Sequence, residues 1–185
     1  MSEKYNKKNK PKPLTKERLE RAAFSYLERY STSVENLRRV LKRRIDKSAR
    51  LHGTDPAEGE AWSEALIKRL LGSGILDDSV YTMARATSLH RRGVSARGIA
   101  MKMSAKGVDA DVIDAALEEL SETMPGDPDV LAAINYAKRR RIGVFRRENR
   151  EEYRQRDLAS LGRQGFSYDI AKKVVDAEDE ELLLE

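Results

Sequence analysis

Residues 74–117 read GILDDSVYTMARATSLHRRGVSARGIAMKMSAKGVDADVIDAAL, and they carry the strongest pattern in the chain. Short oxygen-bearing side chains open three segments of this stretch: Asp77 or Asp78, Ser95 and Asp109. Such a side chain accepts hydrogen bonds from the free N–H groups of a first helical turn, so each is a candidate N-cap. Gly93 and Gly107 stand where two segments must stop, because glycine adopts the left-handed C′ conformation at no steric cost. The stretch therefore predicts three short helices joined by two glycine turns.

The same helix–turn–helix pattern recurs before and after this stretch. One constant shift along the chain superimposes Gly107 on Gly165, and a second shift superimposes Ser33 on Ser95. The first copy carries Ile45 where the middle copy carries Gly107, so we predict that its second helix runs on without a glycine stop. Terminal repeats of an array are often atypical, and the difference fits that rule.

We therefore predict an all-α fold of three tandem three-helix repeats, about nine helices in all, that form an elongated and curved array. The expected repeats cover residues 14–76, 77–124 and 125–176. Residues 1–13 are rich in lysine and interrupted by proline, so we expect a disordered basic arm. Residues 177–185 form an acidic tail. Docking on a basic face, of this protein or of a partner, is one alternative, and a solvated end is the one that we expect.

The composition of the 185-residue chain excludes several classes of protein. Hydrophobic residues make up 39% and charged residues 36%, which suits thin helical layers better than a thick globule. The chain has no cysteine, which excludes a disulfide framework and a thiolate metal site. No run approaches the ~20 apolar residues of a membrane span, and the first residues lack the apolar core of a signal peptide. We expect a cytoplasmic protein that does not bind a membrane.

Residue types that can carry catalysis or bind metal are present, but without the spacing that either task needs. Asp77 and Asp78 have no third carboxylate or histidine at a fixed spacing, and a helix begins directly after them, so capping explains the pair. His52 and His90 are isolated in the sequence, and we expect both side chains to be exposed. The phosphate-binding loop G-x-x-x-x-G-K-[ST] is absent. We predict a protein that is not an enzyme and holds neither a metal nor a cofactor.

The basic residues remain as candidates for a function. The net charge is +5, and lysines and arginines occur in all three repeats, which indicates a polyanionic partner such as nucleic acid. A charged face that serves only solubility is the simpler interpretation. The candidate contact residues are Arg38, Arg39, Arg43, Tyr81, Arg85, Arg91, Arg92, Arg97, Lys102, Lys106, Lys138, Arg139, Arg140 and Arg141.

Several pieces of the chain resemble the central motif of the RecX family, bacterial regulators of the RecA recombinase. The pieces are Gly74–Tyr81, Arg92–Ser95, Ile99, Met103 and Lys106–Val108, and the resemblance extends over most of the chain. It implies a non-enzymatic protein that binds RecA and the RecA filament on single-stranded DNA, and that blocks filament extension or promotes disassembly. The ATPase, strand-exchange and co-protease activities of RecA then fall. We expect the chain to act in this way as a monomer.

A basic helical DNA-binding protein, or a helix-turn-helix transcriptional regulator, is the alternative. Short helices joined at glycine turns fit such a regulator, and so does the basic helix expected over residues 34–45. Reading a base sequence requires several base-reaching side chains on one helix, whereas the cations here are distributed. Distributed charge suits contact with phosphates or with a long groove.

Overall fold

The computed structural model describes residues 12–183, and every regular element within that range is helical. The nine α-helices of this range are α1 (Lys16–Leu27), α2 (Val34–His52), α3 (Pro56–Gly72), α4 (Asp78–Arg91), α5 (Ala96–Ser104), α6 (Ala110–Glu122), α7 (Pro128–Arg140), α8 (Arg150–Gly162) and α9 (Tyr168–Asp176). Two short 3-10 turns lie at Gly143–Phe145 and Glu181–Leu183. The predicted all-α fold is confirmed.

Short polar side chains begin the helices of the middle repeat largely as the sequence predicts. Asp77 Oδ1 accepts a hydrogen bond from the Ser79 amide at 2.8 Å at the start of α4. Ser95 Oγ accepts one from the Gly98 amide at 3.0 Å at the start of α5. Asp109 stands at the N-cap of α6, but its side chain makes no capping hydrogen bond with a described residue. The predicted capping role of Asp109 is therefore wrong, because this exposed carboxylate is left to the solvent.

Glycines end two helices of the middle repeat in the left-handed conformation, with φ of 75° at Gly93 and 74° at Gly107, as predicted. The first repeat has no such stop at the equivalent position, where Ile45 is buried. Helix α2 runs on to His52 and ends at Gly53, whose φ is 67°. The predicted extension of this helix is confirmed.

The chain divides into two compact units, and the first ends at Leu76. Its helices α1, α2 and α3 pack around one core, in which α2 approaches α3 closely at Gly59. A Cβ atom at Gly59 would lie 2.8 Å from Ile45 Cγ2, so glycine permits this approach. Trp62 packs against the same core. The buried apolar side chains are Leu19, Ala23, Leu37, Leu41, Ile45, Leu66, Ile67, Leu70 and Leu76.

The second unit begins at Asp77 and contains two three-helix repeats, each with its own core. Helices α4, α5 and α6 enclose Ile99 and Met103, which are 0% and 1% exposed. Helices α7, α8 and α9 enclose Leu161 and Val174, which are both 0% exposed. Helix α7 also packs against α4, so this contact joins the two repeats of the unit.

The third repeat differs from the middle repeat in how its first helix ends. Helix α7 ends without a glycine, because Arg141 itself adopts the left-handed conformation with a φ of 54°. The Ile142 amide donates a hydrogen bond to Ala137 O at 3.0 Å, which closes the helix end. Gly143 serves close packing instead, because a Cβ atom there would lie 2.7 Å from Val174 O.

The two ends of the chain differ in what the structure describes. The predicted basic arm lies outside the described residues except for Lys12 and Pro13. The acidic tail is described up to Leu183, whose side chain is 1% exposed and packs into the core of the third repeat. The expectation of a solvated end is wrong at Leu183, whose burial favours docking of the segment, whereas residues 178–182 are exposed.

Candidate functional site

An open cleft of about 490 Å³ lies within the second unit, between α5 and the turn that joins α8 to α9. Three cationic side chains line it: Arg97, Lys102 and Arg163. All three are exposed, and none forms an ion pair with a described residue. Met101 is 65% exposed at the same cleft and adds an apolar surface. The cleft therefore combines unpaired positive charge with exposed apolar area.

The pattern of α5 sets which of its side chains reach the cleft. Ile99 and Met103 are four residues apart and almost fully buried, at 0% and 1% exposure. Residues with this spacing share one face of a helix, so the pair defines the inner face of α5. Arg97 and Met101 have the same spacing, and both are exposed on the outer side. One short helix thus packs into the core on one side and lines the cleft on the other.

Close backbone contact holds the two walls of the cleft against each other. Ser95 Oγ donates a hydrogen bond to Gln164 O at 2.9 Å, while it caps the start of α5. A Cβ atom at Gly98 would lie 2.6 Å from Gln164 O, and one at Gly165 would lie 2.5 Å from Ser95 Oγ. A side chain at either glycine would force the walls apart, so the second and third repeats meet here at backbone distance.

Two further polar contacts join the same repeats away from the cleft. His90 is 3% exposed, and its Nε2 lies 2.7 Å from Pro128 O, a carbonyl oxygen that can only accept, so Nε2 carries a proton. The prediction that His90 is exposed is wrong, because its partner comes from the next repeat. Asp129 Oδ1 accepts a hydrogen bond from the Ala96 amide at 2.7 Å. Burial raises the pKa of Asp129, and this hydrogen bond opposes the rise.

Two of the three candidate arginines on α2 are engaged within the first unit. Arg38 pairs with Glu35 at 2.6 Å on α2 and with Glu64 at 2.7 Å on α3. Arg39 pairs with the same Glu35 at 3.0 Å. The hydrogen bond from Arg38 is the main cause that lowers the pKa of Glu35. Arg43 is exposed without an ion pair to a described residue, so the basic face of α2 is only partly available.

The middle repeat holds several exposed candidates. Arg85, Arg91 and Arg92 are exposed, and none forms an ion pair with another residue of the described range. Lys106 is exposed at the glycine turn after α5. Tyr81 is only 8% exposed, and its ring belongs to the core of this repeat. Core packing accounts for the burial of Tyr81, and its role as a contact residue stays a prediction.

The basic run of residues 138–141 at the end of α7 is partly covered. Lys138 pairs with Glu180 of the acidic tail, and its Nζ lies 5.6 Å from the centre of the Phe145 ring. The three arginines that follow are exposed, and none forms an ion pair within residues 12–183. The tail therefore occupies the first position of a run that is otherwise open to a partner.

The charge pattern and the motifs of the sequence do not single out Arg163 or Met101, which both line the cleft. A signal for Arg163 exists, since it directly precedes the turn in which Gly165 matches Gly107 of the middle repeat. The signal for Met101 is its spacing, because it falls between the buried positions of α5 rather than on them. Neither signal shows that the two residues meet, because helical periodicity does not predict how one repeat packs on another.

A buried ion pair lies in the third repeat, apart from the cleft. Asp157 is 3% exposed and accepts hydrogen bonds from Arg146 Nη2 at 2.7 Å and from the Gly143 amide at 3.1 Å. The Asp157 carboxylate raises the pKa of Arg146, whose guanidinium also lies 4.4 Å from the centre of the Tyr153 ring. The partners satisfy one another inside the fold, so the pair is structural.

Within residues 12–183, no three histidine, aspartate or glutamate side chains gather as ligands for a metal ion. In the same range, no helix combines the length and the apolar character needed to cross a bilayer. His52 is exposed, as predicted.

The middle of the chain, residues 77–117, matches the family model for the second three-helix domain of RecX. Most of the chain is similar to the regulatory protein RecX of Myxococcus xanthus, with 41% identity over 170 residues, which are 91% of this chain and 89% of that protein. The chain belongs to the RecX family. The regulatory protein RecX of Agrobacterium fabrum is 34% identical over 127 residues, which are 68% of this chain and 65% of that protein.

A crystal structure of a regulatory protein RecX has the same fold. It superposes with a TM-score of 0.63 at 19% identity, and the match covers 88% of this chain and 72% of that RecX chain. The segment that matches the RecX family model spans α4, α5 and most of α6, so it includes Arg97 and Lys102 of the cleft. Arg163 comes from the third repeat, so the cleft is built partly outside the matched RecX domain.

Proposed function

We propose that this RecX family protein binds RecA and the RecA filament on single-stranded DNA, and that it limits filament extension as an inhibitor. The ATPase, strand-exchange and co-protease activities of RecA then fall. The cleft of the second unit supports this most, because Arg97, Lys102 and Arg163 present unpaired positive charge in or beside the segment that matches RecX. The relatives are named regulatory proteins, which supports a non-enzymatic role. We propose that the protein acts as a monomer in the bacterial cytoplasm.

A RecA filament offers this surface two sources of negative charge. The DNA carries phosphates, and arginine donates to phosphate oxygens through a planar fork of N–H groups. Acidic side chains on the surface of the filament protein are the second source. Arg85, Arg91 and Arg92 extend the positive surface of the same unit beyond the cleft. Several weak contacts with neighbouring protomers add up, because the first contact raises the effective concentration for the next.

Direct DNA binding without RecA is the second candidate function. The unpaired cations are distributed over α4, α5 and the end of α7, which favours contact with phosphates over the reading of bases. Such binding falls steeply with salt and shows little sequence preference. A helix-turn-helix regulator instead requires several base-reading side chains on one helix. Arg97 and Lys102 are the only cationic side chains that α5 presents toward the cleft.

A pull-down with immobilised RecA tests the proposed partner. We expect RecA to retain the protein, and more strongly with single-stranded DNA present, because a filament aligns many binding sites. A cleft variant, in which Arg97, Lys102 and Arg163 become glutamate, should bind roughly tenfold more weakly or worse, since three attractive contacts become repulsive.

The matched control variant changes Arg21, Lys47 and Lys68 of the first unit to glutamate. These side chains are exposed and form no ion pair with a described residue, so the total change in charge is the same. RecA should retain this variant like the unchanged protein. Retention by single-stranded DNA alone, with none on RecA, would identify a direct DNA binder. Absence of retention under both conditions would contradict the proposal.

A further inference from the structure

We propose that residues 177–183 form an acidic strap that shields the basic end of α7, and that a polyanionic partner must displace the Glu180 carboxylate of this strap from Lys138. The inference deepens the proposed function, on which it rests only for the identity of the polyanion. It concerns the basic run of residues 138–141, which lies apart from the residues that line the cleft.

Apolar and backbone contacts, rather than charge, anchor the strap. Leu183 is 1% exposed and packs in the core of the third repeat. Arg150 Nη2 donates a hydrogen bond to Ala177 O, which fixes the point where the strap leaves α9. Inside the strap, the Leu182 amide donates to Asp179 Oδ1 at 3.0 Å and so supports the final 3-10 turn. The strap therefore stays attached even when its charged side chains are screened.

The charged side chains of the strap can compete with a polyanion for the cations at the end of α7. Glu178, Asp179, Glu180 and Glu181 are all exposed. Glu180 pairs with Lys138, and the two side chains remain 50% and 46% exposed. An exposed ion pair is weak and screened by salt. A phosphate group can therefore replace the Glu180 carboxylate at Lys138 while Leu183 remains buried.

Lys138 is held in position for this exchange. Its Nζ lies 5.6 Å from the centre of the Phe145 ring, a cation–π arrangement that keeps the ammonium group near the surface. The next three residues are exposed arginines without an ion pair in the described part of the chain. The strap thus neutralises the first charge of the run and places further carboxylates nearby. Because the strap is part of the same chain, its effective concentration at Lys138 is high.

Fluorescence anisotropy with labelled oligo(dT) at low salt tests the strap without RecA. Glu180→Gln should tighten binding by about two- to fivefold, the affinity equivalent of one exposed ion pair. Glu181→Gln removes the same charge from a neighbour that has no ion pair with a described residue, so it should tighten binding less. In a Lys138→Gln background, Glu180→Gln should have no larger effect than Glu181→Gln, which is the signature of direct coupling.

A second measurement tests the contact between Glu180 and Lys138 in the absence of a polyanion. Acetylation of the Lys138 amine, followed by mass spectrometry with Lys102 as the internal reference, should be faster in the Glu180→Gln variant. Unchanged Lys138 reactivity would overturn the ion pair. The shielding would be overturned if both glutamine variants tightened binding equally, or if none of these changes altered the affinity for oligo(dT). It would also be overturned if the protein did not bind oligo(dT) at all. Failure of the RecA pull-down leaves these outcomes unaffected, so the two proposals fail separately.

Discussion

Replacing Asp157 with alanine should lower the free energy of unfolding of the second unit by about 3 kcal/mol, the effect of removing one partner from a buried ion pair. The Asp157 carboxylate accepts hydrogen bonds from Arg146 Nε and Nη2 at 3.2 and 2.7 Å and from the Gly143 amide at 3.1 Å. Alanine leaves all of these donors without their acceptor. The loss should lie at the lower end of the usual range, because the Arg146 side chain keeps 23% exposure and can turn toward water.

Urea unfolding followed by circular dichroism measures the loss, and hydrogen exchange in α7, α8 and α9 localises it. Asp176→Ala is the matched control, because Asp176 pairs with Arg154 at 2.6 Å and both side chains are 34% exposed. An exposed pair contributes little, so this control should unfold close to the unchanged protein. If Asp157→Ala were no more destabilising than Asp176→Ala, the buried pair would not stabilise the third repeat.

Gly93→Ala should loosen the packing of the second repeat on the third. The φ of Gly93 is 75°, a conformation that costs an L-residue about 1–2 kcal/mol. A Cβ atom at Gly93 would also lie 2.6 Å from the Tyr136 amide nitrogen on α7, and overpacking of this kind costs about 1–3 kcal/mol. The backbone of α7 cannot turn away as a flexible side chain would. We therefore expect both costs to lower the free energy of unfolding.

Gly126→Ala separates the two costs within the same unit. The φ of Gly126 is 83°, and no atom lies within 4 Å of a Cβ built there, so this control carries the backbone strain alone. Urea unfolding should show a larger loss for Gly93→Ala than for Gly126→Ala. Hydrogen exchange should rise in α4 and α7 for the first variant only. Equal losses would mean that the approach of Gly93 to Tyr136 does not hold the two repeats together.

Local features of the fold are readable from the sequence because they depend on neighbouring residues. The caps at Asp77 and Ser95 and the left-handed glycines at Gly93 and Gly107 each concern one turn of chain, and the structure contains all four. The extended α2 follows from Ile45, a buried side chain where the middle repeat has glycine.

Contacts between segments that are distant in the sequence are not readable in the same way. His90 looks isolated because its acceptor, Pro128 O, lies in the next repeat. Arg38 looks unpaired because Glu64, its partner on α3 of the same repeat, stands well beyond it in the sequence. A charge pattern along one helix cannot show which neighbour neutralises it. The cleft is likewise formed by two repeats, so periodicity alone does not assemble it.

The acidic tail contains a short apolar segment whose docking its charged composition does not predict. Its composition favours a solvated end, yet three consecutive leucines stand near its close. Leu183, the last described residue of the tail, is buried in the third repeat. Composition describes the whole segment, whereas one buried leucine is enough to determine where the segment docks.

The rate of ATP hydrolysis by RecA on single-stranded DNA, measured against the concentration of this protein, tests the central claim most directly. Substoichiometric amounts of the unchanged protein and of the control variant should lower the rate, because one regulator at a growing filament end affects many protomers. The cleft variant should inhibit much less while keeping its helical content, since exposed substitutions usually shift stability by only about 0.5 kcal/mol. An ATPase rate that stays unchanged even at one molecule of the protein per RecA protomer would contradict the account, and so would equal inhibition by both variants.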